Sequence, residues 1–108
     1  MNRGEVWWVG FNPSVGGEIR KPRPALIVSN DAANEFLNRV QVIPLTSRID
    51  RLYPSEAYVT LRGATQKAMA DQLTTVSKVR LSRIVGRVTR SEMQRVEAAI
   101  RVQLGLDS

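Results

Sequence analysis

The sequence predicts a mainly β (α+β) fold, a small and partly open β-barrel closed by a C-terminal helix. Short segments rich in β-branched and aromatic residues recur along the 108 residues, separated by glycine, proline and polar turns. Only the C-terminal segment combines an apolar period near 3.6 with a helix start signal. About five to seven short, mostly antiparallel strands with one closing helix fit such a barrel.

The predicted strands share a high content of aliphatic, β-branched and aromatic residues, and they are residues 4–9, 23–29, 39–45, 56–61, 67–76 (one or two strands, after a turn at Gly63) and 84–88. A long loop, Phe11 to Lys21, joins the first two strands. Asp31 is expected to cap a short helical turn that runs through Phe36. Pro44 is expected at the end of the third strand or at a bulge, because proline cannot donate to the ladder. A polar loop follows, Ser47 to Ser55.

The last element has the clearest signals. Residues 89–92, TRSE, form a capping box. Apolar residues then fall at helical spacing, at Met93, Val96, Ala99, Ile100 and Leu104. Gly105 is expected to end the helix. One apolar stripe therefore packs this helix on the sheet.

Composition narrows the possible functions. A chain of 108 residues predicts one domain, residues 1–108. Cysteine and histidine are absent, so disulfides, a thiolate nucleophile and the commonest general base and metal ligand are excluded. The net charge is +6, carried mainly by arginine, which favours nucleic acid or an acidic protein as partner. No apolar run approaches the roughly 20 residues that span a bilayer, and a soluble, cytoplasmic protein is expected.

The segment from Gly16 to Asn30, GGEIRKPRPALIVSN, joins a basic loop to a strand that is expected to be buried. Pro22 and Pro24 fix φ on either side of Arg23, and the apolar run ALIV is typical of a core strand. An arginine is therefore held at the mouth of a strand, with Glu18 close in the chain. A cation and a carboxylate so placed can act on a phosphate. A proline-flanked loop with solvated charges would explain the same residues equally well.

Four motifs occur in order along the chain: RGEVWWVGFNP (3–13), KPRPALIVSN (21–30), VIPLTS (42–47) and ADQLTTV (70–76). With the closing helix they resemble the MazF/PemK/Kid family of toxin endoribonucleases over nearly the whole chain. The resemblance implies an SH3-like (CcdB/MazF-like) barrel, usually a symmetric homodimer. It implies cleavage of single-stranded RNA at short sequence motifs without a metal or other cofactor. It also implies a cognate antitoxin whose acidic, flexible tail covers the RNA-binding groove.

Metal-free RNA cleavage uses the neighbouring 2′-hydroxyl as nucleophile, so the enzyme must remove its proton, stabilise the phosphorane and protonate the 5′-oxygen. The resemblance assigns phosphorane stabilisation to Arg23, which could also be the acid although arginine is a reluctant proton donor. It assigns hydrogen bonding to the phosphate or the 2′-hydroxyl to Thr46. Glu18, the only carboxylate in the loop before Arg23, is the candidate general base. The candidate RNA-binding residues are Asp71, Gln72, Lys21, Arg48 and Arg51.

Plainer explanations exist for each of these residues. Arg23 could be a surface arginine in a turn, and Thr46 could be a β-branched residue that ends a strand. Glu18 could form a salt bridge with Arg20 or Lys21, and Asp71 could be a structural acid that pairs with a nearby arginine. The 47–55 loop with its arginines could simply be solvated.

Two positions depart from the pattern of some relatives. Met69 stands where those relatives have a basic residue, and Gly17 stands where some have histidine. Both changes remove a possible acid or cation and place more of the chemistry on Arg23, Thr46 and Glu18.

Trp7 and Trp8 are adjacent in a predicted strand and therefore face opposite sides. One is expected in the core. The other could be a stacking platform for a base or part of a dimer interface, or both could serve packing alone.

Three functions compete. The first is a sequence-specific endoribonuclease toxin that uses Arg23, Thr46 and Glu18. The second is a non-enzymatic toxin of similar fold that poisons a protein such as DNA gyrase. A toxin of that kind has no need of Arg23 and Thr46. The third is a basic RNA-binding module, which would be expected to show more aromatic residues than the six present.

Overall fold

Seven strands form a curved antiparallel sheet in the part of the chain that the structure describes. The structure is a computed structural model that describes residues 1–11, 16 and 21–106. The strands are β1 (Glu5–Val9), β2 (Arg23–Ile27), β3 (Arg39–Thr46), β4 (Glu56–Leu61), β5 (Ala64–Met69), β6 (Thr74–Ser77) and β7 (Leu81–Arg87). The helices are α1 (Asp31–Phe36) and α2 (Arg90–Leu104), and short 3-10 turns lie at Ala70–Gln72 and Lys78–Arg80. The predicted mainly β fold with a closing helix is confirmed.

Strand β3 pairs with three other strands. The order of the sheet is β4-β5-β3-β2-β1-β7, and β6 also pairs with β3. One edge of β3 pairs with β2. The other edge pairs first with β6, over Arg39 to Val42, and then with β5 at Leu45 and Thr46. Pro44 lies inside the strand, which corrects the expectation of a strand end or bulge. It is tolerated because the outer edge changes partner there, so no ladder bond needs its missing N–H.

Apolar side chains cover both faces of the sheet, because alternate residues of a strand point to opposite sides. The main cluster lies on the helix side and includes Val6, Leu26, Ile43, Val59, Val96 and Ala99. A second cluster on the other face includes Val9, Ala25, Ile27, Val40 and Val42. Trp8 packs on the main cluster and Trp7 on the second, so their opposite facing is confirmed. Each is half-buried, so each packs at the margin of its cluster.

The barrel is partly open. Strands β4 and β7 lie at the two ends of the strand order, and side chains rather than a strand ladder connect them. A two-residue turn with positive φ at Arg62 and Gly63 leads from β4 to β5, the pattern of a type I′ hairpin. Arg62 Nε donates to the Val85 carbonyl in β7 at 3.0 Å. Gly86, the next residue of β7, faces the Leu61 side chain so closely that a Cβ would lie 2.6 Å from Leu61 Cδ1.

Helix α2 starts at the predicted capping box. Thr89 Oγ1 accepts from the Glu92 N–H at 3.1 Å, and Glu92 Oε1 accepts from the Thr89 N–H at 2.8 Å. Gly105 ends the helix with φ 65°, as predicted. Leu104 is 54% exposed, so its predicted place on the apolar stripe is wrong.

The remaining differences concern element ends. Asn30 rather than Asp31 caps α1, because Asn30 has the extended backbone of a cap and its side chain accepts from the Ala33 N–H at 2.8 Å. The 67–76 segment, predicted as one or two strands, contains two, which the turn at residues 70–72 separates. The second strand ends at Ile27, and the last begins at Leu81. Among the described residues, no helix is long and apolar enough to cross a membrane.

Candidate active site

Arg23 is the first residue of β2, and its half-buried side chain reaches the end of β3. Its Nη1 donates a long hydrogen bond of 3.5 Å to the carbonyl of Leu45, the residue before Thr46. Its Nε–H is shielded from solvent and has no hydrogen-bond acceptor in the described part of the chain. A donor left in this way is unfavourable by about 1–3 kcal/mol. A phosphate oxygen is the kind of acceptor that would satisfy it.

Thr46 is the last residue of β3. Its Oγ1 accepts a hydrogen bond from the Arg48 N–H at 3.2 Å, which leaves the hydroxyl proton available to an incoming acceptor. The last facing pair between β2 and β3 is Ala25 with Pro44. Continuing this register by two residues along each strand brings Arg23 opposite Thr46. The register thus places these two predicted site residues side by side.

A cavity of about 350 Å³ opens beside Thr46, and its lining residues are Thr46, Arg48, Asp50, Arg51, Tyr53, Lys67 and Met69. Residues 47–55, here called the basic loop, form one wall of it. Three cationic side chains and one carboxylate lie around the cavity, so its lining favours an anionic ligand. Arg48 and Arg51, two of the candidate RNA-binding residues, thus lie in the lining of the same cavity as Thr46.

Lys67 is a buried cation of this cavity that the sequence did not single out. It is 8% exposed, and its Nζ lies 3.0 Å from Glu56 Oε1 and donates to the Arg51 carbonyl at 2.8 Å. The ammonium also lies 5.7 Å from the centre of the Tyr53 ring. The only signal in the sequence is a lysine within a run of β-compatible residues, which is too common to indicate a site.

The other predicted RNA-binding residues lie outside the cavity. Lys21 is exposed two residues before β2, and Asp71 is exposed on the 3-10 turn after β5. Gln72 follows Asp71 and is half-buried. Glu18, the candidate general base, and Gly17 lie outside the described residues.

Comparisons with known proteins agree on one family. The model of the PemK-like, MazF-like toxins of type II toxin–antitoxin systems matches residues 2–104. The chain is 37% identical to endoribonuclease MazF9 of Mycobacterium tuberculosis, over 98% of each chain. It is 26% identical to endoribonuclease EndoA of Bacillus subtilis, over 98% of this chain and 96% of that one.

Solved structures extend this agreement to the fold. An endoribonuclease in complex with its cognate antitoxin, from a mycobacterial species, is similar with a TM-score of 0.84 at 28% identity, over 100% of this chain and 98% of that one. MazF from Deinococcus radiodurans is similar with a TM-score of 0.87 at 26% identity, over 98% and 97%.

The fold and the site together define a small basic barrel protein. It has a cationic cleft, made of Arg23, Thr46 and the cavity beside Thr46, where β2 begins and β3 ends. The family match then places it more closely: the chain belongs to the PemK-like, MazF-like toxins of type II toxin–antitoxin systems. The resemblance seen in the sequence motifs is thereby confirmed.

Proposed function

We propose that the protein is the toxin of a type II toxin–antitoxin system and a sequence-specific, metal-independent endoribonuclease acting on single-stranded RNA. The observation that carries the proposal is that Arg23 reaches the Leu45 carbonyl, next to Thr46, and that Thr46 lines the cavity with Arg48 and Arg51. The endoribonuclease names of the relatives from M. tuberculosis and B. subtilis support it. They favour it over a poison of DNA gyrase and over a plain RNA-binding module.

In the proposed reaction the substrate's 2′-oxygen forms a bond to phosphorus while the bond to the 5′-oxygen breaks. The products are a 2′,3′-cyclic phosphate and a 5′-hydroxyl end. Arg23 stabilises the negative charge of the phosphorane by hydrogen bonds to the non-bridging oxygens. Thr46 donates a hydrogen bond from its hydroxyl to the phosphate, since its oxygen already accepts from the Arg48 N–H. Glu18 takes the 2′-proton, Arg23 gives a proton to the departing 5′-oxygen, and proton exchange with solvent restores both groups.

The partners follow from the same proposal. An antitoxin with an acidic, flexible tail binds over the cationic cleft, in line with the mycobacterial neighbour solved with its cognate antitoxin. The toxin acts in the cytoplasm as a symmetric homodimer of single-domain chains. No metal ion or cofactor takes part.

The decisive test is cleavage of a long, mixed-sequence single-stranded RNA in EDTA, with the fragment ends mapped. Discrete cuts that leave 5′-hydroxyl ends are expected from the wild-type protein. Arg23→Ala should lower the rate at least about 100-fold, because it removes the main charge facing the phosphorane. Folding should be retained, since the side chain lies outside both apolar clusters.

Arg90→Ala is the matched control. It removes one positive charge from an exposed residue at the start of α2, away from the cavity. The control should cleave at nearly the wild-type rate. If Arg23→Ala retains the activity of Arg90→Ala, the assignment of Arg23 is wrong. Intact RNA with folded wild-type protein would instead favour a protein target.

A further inference from the structure

Three polar side chains on neighbouring strands form a row under the basic loop. Thr46 of β3 pairs with Lys67 of β5, and Lys67 pairs with Tyr58 of β4. Side chains of directly paired residues lie next to each other on the same face of a sheet. This face is opposite to the main cluster, because Leu45, Ala57 and Ala68, the neighbours of the row along their strands, all belong to that cluster.

Each member of the row holds a different backbone group of the basic loop. Thr46 Oγ1 accepts from the Arg48 N–H at 3.2 Å. The Tyr58 hydroxyl donates to the Ile49 carbonyl at 2.9 Å. Lys67 Nζ donates to the Arg51 carbonyl at 2.8 Å. The row therefore fixes the loop backbone on both sides of Arg48 and at Arg51.

The burial of Lys67 shows that the loop lies closely on this row. A side chain on this face of β5 would meet solvent unless something covered it, yet Lys67 is only 8% exposed. Burying an ammonium is unfavourable unless it is paired and hydrogen-bonded. Glu56 supplies the charge, the Arg51 carbonyl supplies an acceptor, and the Tyr53 ring lies against the cation. Glu56 Oε1 also accepts from the Tyr53 N–H at 2.8 Å, which fixes a fourth point of the loop.

We propose that Lys67 and Tyr58 are positioning residues that hold the basic loop in one shape, so that Arg48 and Arg51 meet the RNA at a fixed distance from Thr46. Neither residue needs to touch the RNA for this role. Both set how strictly the protein distinguishes one RNA sequence from another, because a loop that moves can fit wrong bases as well as the right ones. The effect on sequence discrimination rests on the proposed endoribonuclease function. The positioning of the basic loop rests on the contacts alone.

The first test measures the loop without RNA. Trypsin cuts after Arg48 and Arg51, so the rate of cutting at these sites in the native protein reports how often the loop opens. Tyr58→Phe removes one hydroxyl and nothing else, and it should raise this rate about fivefold, the effect of losing one hydrogen bond. Lys67→Met should raise it further. Lys67→Met/Glu56→Gln avoids leaving the Glu56 carboxylate unpaired and serves if the single variant does not fold.

Val40→Ala is the control for lost global stability. Val40 belongs to the second cluster and lies on β3 about 20 Å from Thr46. It should lower the denaturation midpoint without raising cutting at Arg48 and Arg51 relative to other sites. Equal loop cutting in Tyr58→Phe and wild type would overturn the proposal that this row holds the loop.

The second test uses short single-stranded RNAs, one carrying a mapped cut site and one with its bases permuted. Tyr58→Phe should reduce the ratio of their kcat/KM values about fivefold, mainly through faster cleavage of the permuted RNA. An unchanged ratio in a protein with a loosened loop would overturn the role in sequence discrimination. Wild-type protein that cleaves neither RNA would contradict the proposed function, while the trypsin comparison would still decide whether the row holds the loop.

Discussion

The Glu92 side chain joins two elements through one carboxylate. One oxygen accepts from the Thr89 N–H at the start of α2, and the other accepts from the Thr60 N–H in β4 at 2.6 Å. Burial by itself raises the pKa of Glu92, but the hydrogen bonds from Thr89 and Thr60 outweigh it, so the pKa lies below its ordinary value of 4.5. The charged form is therefore the one that holds the helix to the barrel.

A pH dependence follows from this lowered pKa. Because the folded state binds the Glu92 proton more weakly than the unfolded state does, the carboxylate stabilises the fold above about pH 4.5 and loses this effect as the pH falls further. Glu92→Gln should lower the free energy of unfolding by about 1–3 kcal/mol at pH 7. The difference between variant and wild type should shrink at pH 3. Urea denaturation at both pH values measures it, and an equal difference at both would contradict the assignment.

At the scale of elements, the contact between Gly86 and Leu61 lets β7 approach β4. The missing Cβ of Gly86 makes room for Leu61, which is only 8% exposed. Gly86→Ala should lower the free energy of unfolding by about 1–3 kcal/mol, because the new methyl group overfills the site. In the Leu61→Ala background the same change should have little effect. A double-mutant cycle from urea denaturation measures this coupling.

Gly10→Ala is the control for replacing glycine as such, because a Cβ there meets nothing within 4 Å. It should leave the free energy of unfolding nearly unchanged. Additive effects of Gly86→Ala and Leu61→Ala would show that the close approach does not limit the packing between β4 and β7.

Elements whose signals are local were predictable from the sequence. The capping box at Thr89 and the stop at Gly105 use only neighbouring residues, and both are confirmed. The place of Pro44 was not predictable, since it depends on which strands pair with β3 on either side. The position of the 3-10 turn at residues 70–72, inside the segment predicted as one or two strands, was not predictable for the same reason, because it marks where the chain leaves β5 for β6.

At the scale of the whole molecule, the net charge of +6 makes binding to RNA dependent on salt. If Arg23, Arg48 and Arg51 each contact a phosphate, log Kobs should fall with log salt concentration with a slope of about −2 for single-stranded RNA. Arg48→Gln/Arg51→Gln should reduce the slope by about 1.4, because two contacts are lost. Titration of a non-cleavable, 2′-deoxy-substituted RNA at several salt concentrations measures this. Arg90→Ala should keep the wild-type slope, and an unchanged slope in the double variant would remove the basic loop from the RNA interface.

The candidate site was only partly predictable. Arg23 and Thr46 came from motifs whose order resembles a known family, and the register explains why those motifs belong together. Lys67 and Tyr58 could not be predicted from any motif, because nothing in the neighbouring sequence shows that a loop covers them. Their environment depends on three strands and a loop meeting in space, which one sequence does not reveal.

The pairing of β1 with β7 has a consequence for how the protein is made. The ion pair between Glu5 and Arg87 joins residues 82 positions apart, and a ribosome adds about 5–20 residues per second. About 4–16 s therefore pass between the synthesis of Glu5 and that of Arg87, and only then can β1 pair with β7. The ladder between β1 and β7 can form only after β7 has left the ribosome, so one edge of β1 stays unpaired until then.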